Sequence, residues 1–177
     1  MMLDIAEGWI FLRKKTIILM VALGIVLSLA GAVFGSGLIV KTQNKDFQDD
    51  PLFYKALGGE LLKRGDNVKA IAAYEESLML AEDLEVHSNL AVLYHGEGKY
   101  SEAISHLRVL VASQPDNPGF HYDLAVNLVD KFRNTDEKSL DDLYEALAEY
   151  EKSEQLLPGY SYAAENIAVL KMILKIE

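Results

Sequence analysis

Two kinds of apolar pattern divide the chain. From Thr16 to Val40 there are 25 consecutive positions without a charged side chain. Beyond Pro51, apolar residues return at helical intervals, as in Leu57, Leu61, Ile71 and Tyr74, and again in Leu90, Tyr94, Ile104 and Leu107. The first pattern predicts one uninterrupted apolar helix, the second a set of amphipathic helices that each hide one face. At about 1.5 Å per residue the apolar helix would be roughly 37 Å long, enough to cross a ~30 Å hydrocarbon core with some tilt. Between the two patterns, KTQNKDFQDD (41–50) is polar and reads as a linker.

Residues 1–15 form a basic, interfacial segment. Arg13, Lys14 and Lys15 abut the apolar run, Trp9 suits a membrane interface, and Lys41 and Lys45 follow the run. Three basic residues against two lean toward a cytoplasmic N-terminus and an extracytoplasmic body. Two fates stay open for the run. Ala30-Gly31-Ala32 has the small-x-small form of a signal-peptidase site, and cleavage there would release a secreted or periplasmic module. Against cleavage, the leading segment carries Asp4 and Glu7, and the run exceeds the apolar stretch of about 7–15 residues usual for a cleaved signal. The expectation is therefore a retained transmembrane helix over 16–40. Gly24, Ser28, Gly31 and Gly35 fall on one face of it. Such a stripe lets another transmembrane helix, or a second copy, approach closely; glycine is also common in membrane helices without any such contact.

The second pattern repeats. Gly58, Ala91 and Ala125 are separated by 33 and 34 residues, and Ala70, Ala103 and Ala146 by 33 and 43. Small residues at such positions let two helices cross closely, so each unit is expected to be an antiparallel helix pair. RGDN and GEGKYS supply the turns, and Pro115, Pro118 and Pro158 mark unit ends. Within a unit the small pairs lie 12, 12 and 21 residues apart, so the third turn holds nine extra residues, assigned to the ten-residue segment 133–142 and read as an extended turn. A single hairpin cannot bury its faces alone, so the three must stack into one continuous array.

These residues resemble the tetratricopeptide repeat, a helix–turn–helix unit of about 34 residues. The family's marked positions fall on Tyr54, Leu57, Gly58, Leu61, Ala70, Tyr74, Ser77 and Glu82 in the first unit. In the second they fall on His87, Leu90, Ala91, Tyr94, Ala103, Leu107, Leu110 and Pro115, and in the third on His121, Leu124, Ala125, Leu128, Ala146, Tyr150, Ser153 and Pro158. Glu82 in place of proline, Leu110 at a small-residue position and the insertion depart from the pattern. The resemblance implies an all-α solenoid: three repeats over 51–158 (51–83, 84–117, 118–158) and a capping helix within 159–177. In that cap Ala164, Ile167 and Ala168 take the places of a fourth first helix.

Charge and chemistry narrow the function. Residues 1–45 carry a net +3 and residues 46–177 a net −13, and so acidic a body repels nucleic-acid phosphates. There is no cysteine, which excludes thiol nucleophiles and thiolate metal sites. His87 and His121 occupy equivalent packing positions, and His95 and His106 have no ligand-spaced neighbour. No nucleophile–base set and no phosphate-cradling loop is present, so neither catalysis, a metal nor a cofactor is expected.

Recognition of a protein or peptide segment remains. The resemblance implies a groove lined by Leu52, Lys55, Leu62, Lys63, Ser88, Asn89, Val92, His95, Tyr122, Val126 and Val129. Members that clamp a chaperone's C-terminal carboxylate use a set of Lys, Asn and Arg residues. This chain keeps Lys55 and Asn89 but has Gly59, Gly119 and Asp123 at the other places, and Asp123 repels a carboxylate. The reading is a membrane-anchored scaffold or adaptor that helps assemble or organise a membrane protein complex. A free secreted module and a chaperone-like quality-control factor for exported proteins are the alternatives.

Overall fold

Short polar side chains start most of the helices, by accepting from amides that have no partner within the helix. In the computed structural model, which describes residues 49–176, Asp50 accepts from the Leu52 amide at 2.9 Å and opens α1, Pro51–Lys63. Asp66 opens α2 (Asn67–Leu80) and Asp83 opens α3 (Leu84–Gly96). Helix α4 (Tyr100–Ser113) has no side-chain cap. Asn117 and Ser139 cap α5 (Pro118–Asn134) and α6 (Leu140–Leu156), and α7 spans Ala163–Leu174. The segment 16–40, with Gly24, Ser28, Gly31 and Gly35, lies outside the described residues. Among the described residues, no helix is long and apolar enough to cross a membrane.

The helices pair as α1–α2, α3–α4 and α5–α6, each pair stacks on the next, and α7 covers α6. Tight crossings explain the small residues. A Cβ on Gly58 would stand 2.7 Å from the Tyr74 ring, so only glycine lets α1 lie against that tyrosine. Ala70, Ala103, Ala125 and Ala146 are fully buried. The core has two parts. One joins the first two hairpins through Ile71, Tyr74, Val86, Leu90, Leu93 and Tyr94. The other joins the second and third hairpins and α7 through Leu107, Leu110, Leu124, Leu128, Leu143 and Tyr150.

The third hairpin differs for a local reason. Gly65 and Gly98 end α1 and α3 in the left-handed conformation, at φ 76° and 72°. The next amides fold back there, Asp66 onto the Leu61 carbonyl at 3.0 Å and Lys99 onto Tyr94 at 2.8 Å. Phe132 holds the equivalent place in α5, and a bulky side chain is strongly disfavoured at positive φ. The helix therefore runs on. Helices α5 and α6 have 17 residues each, against 13 and 14 in the second hairpin. The expected extended turn over 133–142 is thus corrected: residues 133–134 belong to α5 and 140–142 to α6, and only residues 135–139 connect them. Lys131 secures the added turn through Asp142, 3.1 Å away.

The two other departures are also accommodated. Ser77 and Ser153 donate to the carbonyls of Pro51 and Pro118, the first residues of their hairpins. The second hairpin starts with Leu84 instead of proline, and Leu84 packs against the cluster that holds buried Leu110. Glu82 sits 2.8 Å from His87 Nε2, in a junction of only three residues before α3. His121 is buried and pins the next junction: its Nε2 donates to the Pro115 carbonyl at 2.9 Å, while Nδ1 meets Glu149 at 2.5 Å.

The cap keeps Ile167 of the expected set but not its two alanines. Ala163, Ile167, Leu170 and Leu174 face the third hairpin, whereas Ala164 and Ala168 are exposed. Its outer side is apolar too, with Met172 74% and Ile173 53% exposed.

Candidate functional site

Two clefts open between successive first helices. The first, about 470 Å³, lies between α1 and α3 and is lined by Leu52, Lys55, Ala56, Gly59, Glu60 and Lys63 with Glu85, Asn89 and Tyr74. The second, about 170 Å³, lies between α3 and α5. Ser88, Val92 and His95 form one wall, Phe120, Asp123, Val126 and Asn127 the other, and Ala91, Leu107 and Leu110 close the floor.

The polar groups of the two clefts are in different states. Lys55 is engaged, bonded to Asp83 at 2.7 Å and to Glu85 at 2.6 Å. The Asp83 hydrogen bond, aided by Glu85, holds the ammonium above the usual lysine range, and Lys55 in turn holds the Asp83 carboxyl below its usual range. In the second cleft Asn127 ties two elements together. Its Oδ1 accepts from His95 Nδ1 at 2.9 Å, and its Nδ2 donates to the Asp123 carbonyl at 2.9 Å. The far edge of the His95 ring lies 3.8 Å from Asp130. Asp123 differs: among the described residues, none donates to or pairs with its carboxylate. The side chain reaches solvent at the cleft mouth, yet the protein crowded around it removes enough water to push its carboxyl above the usual range, a rise His95 partly offsets.

The tetratricopeptide repeat family profile matches residues 61–125, from the end of α1 to the middle of α5. This stretch carries tetratricopeptide repeats. In fold the chain is similar to the first tetratricopeptide domain of Spaghetti (RPAP3), solved with an HSP90 peptide, at 22% identity and a TM-score of 0.56 over 72% of this chain and 95% of that one. It is also similar to MamA of AMB-1, at 22% identity and a TM-score of 0.63 over 75% and 67% of the two chains. A thermophilic tetratricopeptide protein of Thermus thermophilus aligns at 23% identity and a TM-score of 0.52, over 71% and 66%. No curated protein sequence matches the chain.

Of the residues that the tetratricopeptide resemblance assigns to a groove, Leu52, Lys55, Lys63 and Asn89 line the first cleft, and Ser88, Val92, His95 and Val126 the second. Leu62, Tyr122 and Val129 line neither. Tyr122 is turned into an aromatic cluster, edge-on to Tyr150 at 5.4 Å and to Tyr160 at 5.7 Å. Val129 packs on the core. Sequence reasoning omitted Phe120 and Asn127 and treated Asp123 only as a bar to carboxylates. The signal was available for Asp123, which is an unpaired acid one position beyond Tyr122 in the repeat.

No group of three or more histidine, aspartate or glutamate side chains is placed to hold a metal ion among the described residues. Buried His87 and half-buried His106 instead form a structural pair between α3 and α4. His87 Nδ1 and His106 Nδ1 are 2.8 Å apart, so one must donate and the other accept. Burial, and then the neighbouring His87, depress the His106 value, with Glu75 and Glu82 opposing. A depressed histidine contributes stability that is present above its ordinary value of about 6.5 and lost as pH falls below it, because the unfolded chain takes up the proton more readily. Thermal unfolding is therefore expected to shift downward between pH 7.5 and 5.5, and less so in His106→Gln, which keeps a donor. An identical shift in both proteins would refute this role.

Proposed function

We propose that this protein is a membrane-anchored tetratricopeptide scaffold that holds an extended or helical segment of a partner protein along α1, α3 and α5, and so helps assemble or organise a membrane protein complex. The observation that carries the reading is the pair of open clefts between successive first helices, lined by exposed aliphatic side chains such as Leu52 and Val92. Apolar anchors with a few fixed polar groups suit a protein segment better than a small polar solute. The structural neighbour solved with an HSP90 peptide supports peptide binding in general. A segment held by its terminal carboxylate suits this chain poorly, because Lys55 is consumed by Asp83 and Glu85 and Asp123 faces the second cleft.

Anchoring rests on the uncharged run 16–40. An anchor confines the domain near partners in the same membrane and raises their effective concentration. The excess of basic residues before the run favours a cytoplasmic N-terminus and an extracytoplasmic repeat domain. The stripe Gly24, Ser28, Gly31 and Gly35 would then serve a second contact within the membrane. Cleavage after Ala32 gives the secreted alternative, which intact mass of the membrane fraction distinguishes.

A photoreactive residue at Val126, incorporated in native membranes, is expected to crosslink one defined protein, identified by mass spectrometry. Stoichiometric recovery of that protein indicates a constitutive subunit, and substoichiometric recovery an assembly or quality-control factor. Absence of any specific adduct at Val126 overturns the groove reading.

A further inference from the structure

Resting on the groove reading above, we infer that the cleft between α3 and α5 is a specificity pocket for a lysine or arginine side chain of the bound segment, with Asp123 as its counter-ion. Three observations converge. Each wall carries an aliphatic side chain, Val92 (70% exposed) on one side and Val126 on the other, above an apolar floor of Ala91, Leu107 and Leu110. Asp123 faces the cleft without a donor among the described residues, and no lysine or arginine lines the cleft. His95, the only basic side chain there, is directed elsewhere, with Nδ1 committed to Asn127 and the opposite edge turned to Asp130.

A side chain that fills such a space needs an apolar stem and a cationic end. Lysine and arginine have that form, with a chain of methylenes beneath a charged head. An aliphatic side chain would fill the walls but leave the carboxylate facing it, partly stripped of water. A carboxylate would meet a like charge. The protein crowded around Asp123 raises its carboxyl above the usual range, and a cation placed there favours the charged form. The first cleft does not discriminate in this way, because its acids Glu60 and Glu85 are already paired, with Arg64 and Lys55. The two clefts therefore have distinct roles: the first accepts mainly apolar contact, and the second fixes the register of the segment through one basic residue.

The test uses the full chain in detergent micelles and a displayed library of random twelve-residue peptides. The wild-type protein is expected to enrich peptides with lysine or arginine at one fixed position beside aliphatic residues. Asp123→Asn is expected to bind those peptides about three- to fivefold more weakly, the scale of one solvent-reachable ion pair. Asp123→Lys is expected to select aspartate or glutamate at the same position. Selection without basic enrichment, or the same peptides from wild type and Asp123→Lys, overturns the pocket assignment and leaves the groove intact. Peptides whose binding survives Val92→Arg bind outside the groove, and they overturn the groove reading together with this one, as does the absence of any selected peptide.

Discussion

Leu128→Ala is expected to lower the stability of the repeat domain by about 2–5 kcal/mol, the range for truncating a fully buried leucine. Leu128 has no exposed surface and lies in the cluster with Leu124, Leu143 and Leu147. The cost has two parts, lost transfer free energy and a cavity that the two long helices α5 and α6 cannot readily close. Its distribution along the chain is as informative as its size. Repeat arrays are stabilised by units and nearest-neighbour interfaces, and Leu128 belongs to the cluster of the second and third hairpins and the cap. Amide exchange in Leu128→Ala is therefore expected to quicken in α5, α6 and α7 while α1 and α2 keep most of their protection. Uniform acceleration through all helices would show instead that the array unfolds as one unit.

Ala103→Leu is expected to destabilise by about 1–3 kcal/mol, the scale of overpacking a filled core. Ala103 is fully buried in the other cluster, where α4 packs with α2 and α3 through Ala70, Ile71, Tyr74 and Leu90. Intrinsic helix propensity separates alanine and leucine only slightly, so the loss would come from the crossing and not from α4 itself. Calorimetry should register a lower midpoint for the variant. An unchanged midpoint would mean that Ala103 does not lie at a close helix contact.

The repeat architecture was legible because its signals are local. Spacing of the small residues marks where helices must touch, and Gly65, Gly98 and the prolines mark where they must end. The insertion was misjudged for the opposite reason. A count of residues between Ala125 and Ala146 gives an excess length, but not whether it becomes loop or helix. The absence of a glycine at Phe132 was visible in the sequence; that Lys131 would find Asp142 across the hairpin was not. In the cap, Ala164 and Ala168 fit the pattern beside Ile167 as well as Ala163 and Leu170 do. Alanine and isoleucine recur so densely there that several registers present an apolar face, and packing against α6 chose among them.

For the two clefts, the sequence placed several lining residues on α1, α3 and α5 but not the state of each polar group. Lys55 and Asp123 look like two available charges on equivalent helices. One is neutralised by Asp83 and Glu85, which arrive from the following junction and helix, and the other meets no donor. Tyr122 has the right repeat position for binding but is drawn into contact with Tyr150 and Tyr160. Periodicity, glycine and proline act through the chain's own backbone, and so they set the helices and their order of stacking without reference to distant residues. Which polar side chains are left unpaired depends instead on neighbours that folding brings close from distant positions in the chain, and no local pattern records them.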